Sequence, residues 1–195
     1  MELLLNAINE FKNRNTIQQS LYNKLINKGL HFHFYVLRYA DVNSAFGGYK
    51  PSGVKSIWFR DNSSINEAIL REELIRSWQD AFYPEGINQY GKDSEGNKLP
   101  VNDNIEFEAK VLQDLLAGEY GQTMAFKGAD EGEERVIYFD YLKWLFTVRR
   151  NLKILEDSKV YNYWLNLFIK YNKEYTGPKS DDFSSFHCID DLIKK

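Results

Sequence analysis

Two short runs interrupt an otherwise helical pattern of apolar residues. Residues 31–39 (HFHFYVLRY) and 54–59 (VKSIWF) are rich in aromatic and β-branched side chains and too short for ordinary helices, so they read as strands of one sheet. Most of the remaining apolar residues recur three or four apart, as on one face of a helix. This pattern places the chain in the α+β class, mostly helical with a small β-sheet. The lone cysteine, Cys188, allows no internal disulfide and no multi-cysteine zinc site, so the fold must rest on its core. With 195 residues, 43% of them apolar, the chain is long enough to bury one. A single domain over 1–195 is expected.

Along the chain, residues 3–28 read as two short helices or one broken helix, ending at Gly29. Residues 43–53 (NSAFGGYKPSG) read as a loop or wide hairpin. Ser64-Ile65-Asn66-Glu67 has the form of a capping box and starts a helix that runs to about Tyr83, before Pro84. Leu70, Leu74, Trp78 and Ala81 make its apolar stripe, expected to pack on the sheet; Ile69, Glu72, Glu73, Arg76 and Asp80 project from the other side. Residues 84–102 read as a long loop able to cover a cleft. A helix follows from Asp103 or Asn104, with Ile105, Ala109, Leu112 and Leu116 on one stripe, and then a Gly-containing connection over 120–132. Two aromatic-rich helices, 134–155 and 158–175, form a C-terminal pair over 134–175, the second capped by Asp157 or Ser158. Their aromatics, including Phe139, Trp144, Phe146, Trp164 and Phe168, occur on more than one face and predict deep burial. The tail, 178–195, is expected to dock through Phe183, Phe186, Ile189 and Leu192.

Charge removes several function classes. Twenty-five Lys and Arg against 28 Asp and Glu leave a net charge of −3, with no general attraction for nucleic acid or an anionic membrane. The longest basic cluster, Arg149-Arg150 with Lys153, is short. No stretch approaches the roughly 18 apolar residues of a membrane span, and the first residues lack the basic, long apolar form of an export signal, so a cytoplasmic setting is expected. Gly47-Gly48 and Gly53 match neither phosphate-loop nor dinucleotide spacing, and no serine sits in a nucleophile elbow. No cofactor is expected.

The segment that carries chemistry is Glu72-Glu73-Leu74-Ile75-Arg76-Ser77-Trp78-Gln79, followed by Glu106-Phe107-Glu108-Ala109. It resembles the His-Glu-x-x-His helix of zincin metallopeptidases with both histidines replaced. In that register Glu72 and Arg76 stand at the histidine positions, Glu73 at the general-base position, and Ser77-Trp78-Gln79 in place of the family's His-Ala-aromatic-Gln ending. Glu106 and Ala109 are similar to the Glu-x-x-Ala pattern that supplies a third ligand. The resemblance implies a zincin-like core over 32–117, with binding residues Glu72, Arg76, Gln79, Glu106 and Glu108 around a vestigial Glu73. A guanidinium has only donors, so no metal is expected at this site; instead Arg76 is expected to hold Glu72 and one of Glu106 or Glu108. The plain alternative is that Glu72 and Arg76 form an ordinary surface pair one helical turn apart. A separate metal option joins His31 and His33, on one side of a strand, with His187 and Cys188 from the tail; packing is the commoner role for such histidines.

The leading expectation is a non-catalytic metallopeptidase-like domain that binds a peptide or protein through the former cleft. The alternatives are an active hydrolase with Glu73 as base and an unconventional metal site, and an interaction module unrelated to zincins.

Overall fold

The computed structural model describes residues 1–37, 47–50, 54–83, 95, 102–117, 123–126, 135–172 and 186–193. They form a mostly helical α+β protein with one three-stranded sheet. The chain divides into two compact units, Met1–Ile87 and Asn88–Lys195, and the core expected over 32–117 runs across that division. The loop expected over 84–102, apart from Glu95 and the helix start at 102, lies outside the described residues, as do Phe183 and most of the connection over 120–132.

In the first unit, α1 (Glu2–Arg14) and α2 (Thr16–Asn27) are separated by Asn15, whose backbone is extended and whose side chain caps α2 by accepting from the Gln18 amide at 2.9 Å. The expected two-helix reading holds. Gly29 ends α2 at φ +67, with its own N–H bonded to Ile26 O and that of Leu30 to Leu25 O, the paired closure that a left-handed residue makes possible.

The sheet contains β1 (His33–Val36), β2 (Gly47–Lys50) and β3 (Ser56–Phe59) in the order β1-β3-β2. The two expected strands pair in parallel, His33 opposite Ser56 and Val36 opposite Phe59. Within the stretch 43–53, expected as a loop or wide hairpin, Gly47–Lys50 is a strand antiparallel to β3, and 43–46 and 51–53 lie outside the described residues. Glycine earned its place there through tertiary contact. A Cβ on Gly47 would lie 2.6 Å from Ile69 Cγ2, and one on Gly48 would lie 2.5 Å from the Trp58 ring. Alternation and register put Phe34, Val36, Ile57 and Phe59 on one face, where Ile57 and Phe59 are fully buried.

A 3-10 turn, Asn62–Ser64, capped by Asp61, leads into α3 (Glu67–Phe82). The expected capping box is displaced: Asn66 is the cap, accepting from the Ile69 amide at 3.1 Å, while Ser64 belongs to the 3-10 turn. Two faces of α3 are in use. Leu70 and Leu74 line a cavity with Phe34, and Trp78 lies beneath the ammonium groups of Lys24 of α2 and of Lys28 at its C-terminal cap, 5.7 and 5.3 Å from the ring centre. The contact with β2 is made by the face expected to be polar, through Ile69, Glu73 and Asp80.

The second unit is built on α4 (Asn102–Ala117), with α5 (Arg135–Arg150), a 3-10 turn (Leu152–Glu156), α6 (Ser158–Tyr171) and α7 (His187–Ile193). Ile105, Ala109, Leu112 and Leu116 are buried as expected. Phe107 meets Tyr161, Phe168 and Phe186 at centroid distances of 5.8, 5.2 and 5.4 Å, so one ring joins three segments. Asp157 caps α6, and the tail docks through Phe186, Ile189 and Leu192. Burial of the helical pair is less complete than the pattern suggests. Phe139 and Phe146 keep 45% and 37% exposure, their rings covered by the guanidinium groups of Arg135 and Arg150.

Candidate functional site

Helical spacing puts Glu72 and Arg76 one turn apart on α3, and their charged ends lie 3.6 Å apart with both side chains partly exposed. At that separation and exposure the pair contributes a few tenths of a kcal/mol. Glu73, the next residue, turns inward: it is 5% exposed, and its Oε1 lies 3.8 Å from where a Cβ on Gly47 would stand. That is ordinary contact distance, so the carboxylate lies against the sheet at Gly47 while the crowding that demands glycine there comes from Ile69. Gln79 is fully buried on the same helix. One turn beyond Arg76, Asp80 accepts from Tyr49 Oη at 2.8 Å and from the Lys55 ammonium, which ties α3 to β2 and to the start of β3. Burial, and then the Asp80 acceptor, hold the Tyr49 hydroxyl well above the ordinary tyrosine range, so it remains a donor.

The other two expected site residues are on α4, in the second unit. Glu106 is buried. Glu108 is also buried, and its Oε1 accepts the amides of Cys188 at 2.7 Å and Ile189 at 3.3 Å, at the start of α7. A negative carboxylate at these N-terminal amides anchors the tail onto α4. Cys188 is a buried free thiol in the second unit, whereas His31 and His33 are exposed in the first. Among the described residues no three or more His, Cys, Asp or Glu gather in a metal-binding arrangement.

Two buried carboxylates of clear structural consequence escaped the sequence reading. Glu67, at the first turn of α3, accepts from Arg14 Nη1 at 2.9 Å, Gln18 Nε2 at 2.6 Å and Arg71 Nη1 at 3.0 and 3.1 Å, and so joins α1, α2 and α3. Asp114 of α4 accepts from the amides of Met124 at 2.5 Å and Ala125 at 3.1 Å and from Tyr141 Oη at 2.9 Å. Only the Glu67–Arg71 spacing of four was visible as a signal; the other partners are far off in sequence.

The zinc that a zincin resemblance implies finds no matching donor set on α3. Arg76 brings a fixed positive charge within 3.6 Å of Glu72, so a cation already stands where a ligand would have to donate. Comparison with protein-family models, with curated proteins and with solved structures finds no match. Among the described residues no helix is long and apolar enough to cross a membrane.

Proposed function

We propose that the chain is a non-catalytic, metallopeptidase-like protein that binds a peptide or another protein, and that it works in the cytoplasm. The observation carrying the non-catalytic part is the state of the α3 motif. The Glu72–Arg76 ion pair fills both histidine positions, and Glu73, at the general-base position, is withdrawn to 5% exposure beneath β2. A base must reach the water it activates, and this one is buried beside a strand. Glu72 and Arg76 keep the exposure needed to meet a ligand, while Gln79, Glu106 and Glu108 are buried and support the surrounding structure. A lone, buried cysteine is compatible with a reducing compartment.

Thermal unfolding in the presence of zinc tests this reading. The melting temperature should stay unchanged from zero to several equivalents of zinc, because an ion without a site in the folded state cannot stabilise it. A rise that saturates near one equivalent and disappears in Glu106→Ala would instead establish a metal centre and favour the hydrolase.

A further inference from the structure

We propose that the outer edge of β1 is a docking site for an extended peptide that carries apolar side chains two residues apart. The inference rests on the binding reading above and gives it a location and a ligand chemistry.

The first support is the hydrogen-bond ladder. The N–H groups of His33 and Leu37 donate to Lys55 O and Phe59 O, toward β3. Alternation along a strand then turns the N–H and C=O groups of Phe34 and Val36 to the opposite edge. That edge has no strand partner among the described residues, since β1 is terminal in the order β1-β3-β2. A row of outward amides and carbonyls is a template for an added strand.

The second support is the pair of cavities beside this strand. One, of about 230 Å³, is bounded by Phe32 and Phe34 of the β1 segment, Ile8 of α1, Leu25 of α2, and Leu70 and Leu74 of α3. The other, of about 190 Å³, is bounded by Phe34 and Val36, Leu4, Phe59 and Ile65. Each exceeds several-fold the roughly 30 Å³ share of a water molecule, and their linings favour hydrocarbon over water. Phe34 stands between them, with Phe32 on one side and Val36 on the other. Two-residue steps along a strand measure roughly 6.6 Å. Leu4 and Ile8, one in each cavity, are about one helical turn apart, roughly 6 Å along α1. Strand and helix therefore set the same spacing independently, and it is the spacing of same-face side chains on an added strand. An extended polypeptide satisfies the edge amides and both cavities together; a lipid chain or small hydrocarbon satisfies only the cavities.

The probe is a fluorescein-labelled peptide, Lys-Thr-Leu-Thr-Leu-Thr-Lys, titrated with the full chain by fluorescence anisotropy. Saturable binding is expected, weakened at least tenfold when either leucine is replaced by serine. Val36→Pro removes one outward N–H and leaves the His33 and Leu37 donors in place, so it should weaken binding to the same extent. Ile8→Phe, which fills part of the larger cavity, should do so without disturbing the ladder and covers the case in which the proline variant fails to fold. Absence of saturable binding overturns the proposal, while the zinc experiment still decides the non-catalytic reading. Binding that Glu72→Gln weakens and Ile8→Phe does not places the peptide on α3, which keeps the binding reading and discards the β1 site. Self-association of the chain that excludes the peptide and is lost in Ile8→Phe identifies a second copy as the occupant and likewise overturns it.

Discussion

Replacing Glu67 with alanine should lower the unfolding free energy by roughly 3–5 kcal/mol, the range for removing one partner from a buried ionic cluster. Glu67 is 4% exposed, and both of its oxygens are occupied by groups from three helices. Without the carboxylate, the Arg71 guanidinium at 11% side-chain exposure and the buried Gln18 amide lose their acceptor, and desolvated donors with nothing to donate to are what make such removals costly. Chemical denaturation measures the effect as a drop in midpoint. A second variant locates its cause: combining Glu67→Met with Arg71→Met and Gln18→Leu removes the acceptor together with its two more deeply buried donors, leaves the partly exposed Arg14 to water, and should recover much of the loss. A single-variant loss under about 1 kcal/mol, the size of an exposed pair, would mean that the cluster is solvated and does not hold the helices together.

Asp114 should make the protein less stable as pH rises from 4 to 7. Burial pushes its carboxyl up to about 6, against the lowering effect of its hydrogen bonds from Met124, Ala125 and Tyr141 and of the Lys110 charge. A carboxyl raised in the folded state binds its proton more tightly there than in the unfolded chain. Its stabilisation is therefore complete below the ordinary carboxylate range and is lost as pH climbs through about 6. A shift of this size corresponds to about 3 kcal/mol. Asp114→Asn, which keeps an acceptor oxygen and never ionises, should flatten that part of the stability curve. Denaturation midpoints taken between pH 4 and 7 give the comparison; equal slopes in the two proteins would show that Asp114 stays charged throughout. The carboxyl joins α4 to α5 through Tyr141 and fixes residues 123–126, with the Asp114 carbonyl accepting from Arg149 at 2.7 Å, so the pH effect belongs to the packing of the second unit.

What could be read in advance followed from local spacing. The broken helical pattern before Gly29, the stop at Gly29 itself, the two aromatic strands, the cap at Asp157 or Ser158 and the apolar stripe of α4 each declare themselves within a few residues. Failures occurred where a distant partner decided the outcome. Gly47 and Gly48 look like loop punctuation until Ile69 and Trp58 occupy the space their side chains would need. Ser64 and Glu67 have capping-box spacing, but Asn66 caps the helix and Glu67 is taken by Arg14, Gln18 and Arg71. A buried Arg–carboxylate tie between helices forms at Glu67, where α1 and α2 supply Arg14 and Gln18 and α3 itself supplies Arg71. Of the motif residues, Glu72 and Arg76 meet at the spacing seen in the sequence. The inward turn of Glu73 depends on β2 lying against that face of α3, which periodicity does not reveal.

The strand order also dictates an order of assembly. β2 and β3 are close in sequence and pair as a hairpin, an event of roughly microseconds, whereas the parallel β1–β3 pairing must first close a longer loop that contains β2. β1 therefore joins a hairpin already in place. β1 and β2 are both terminal in the sheet, but β2 is tied to β3 by a short connection and β1 is not, so native-state hydrogen exchange should find the His33 and Leu37 amides opening before those shared by β2 and β3. A sheet assembled in this way carries its most exchangeable strand at one border, so anything that stabilises β1 from outside also lengthens the lifetime of the complete three-stranded sheet.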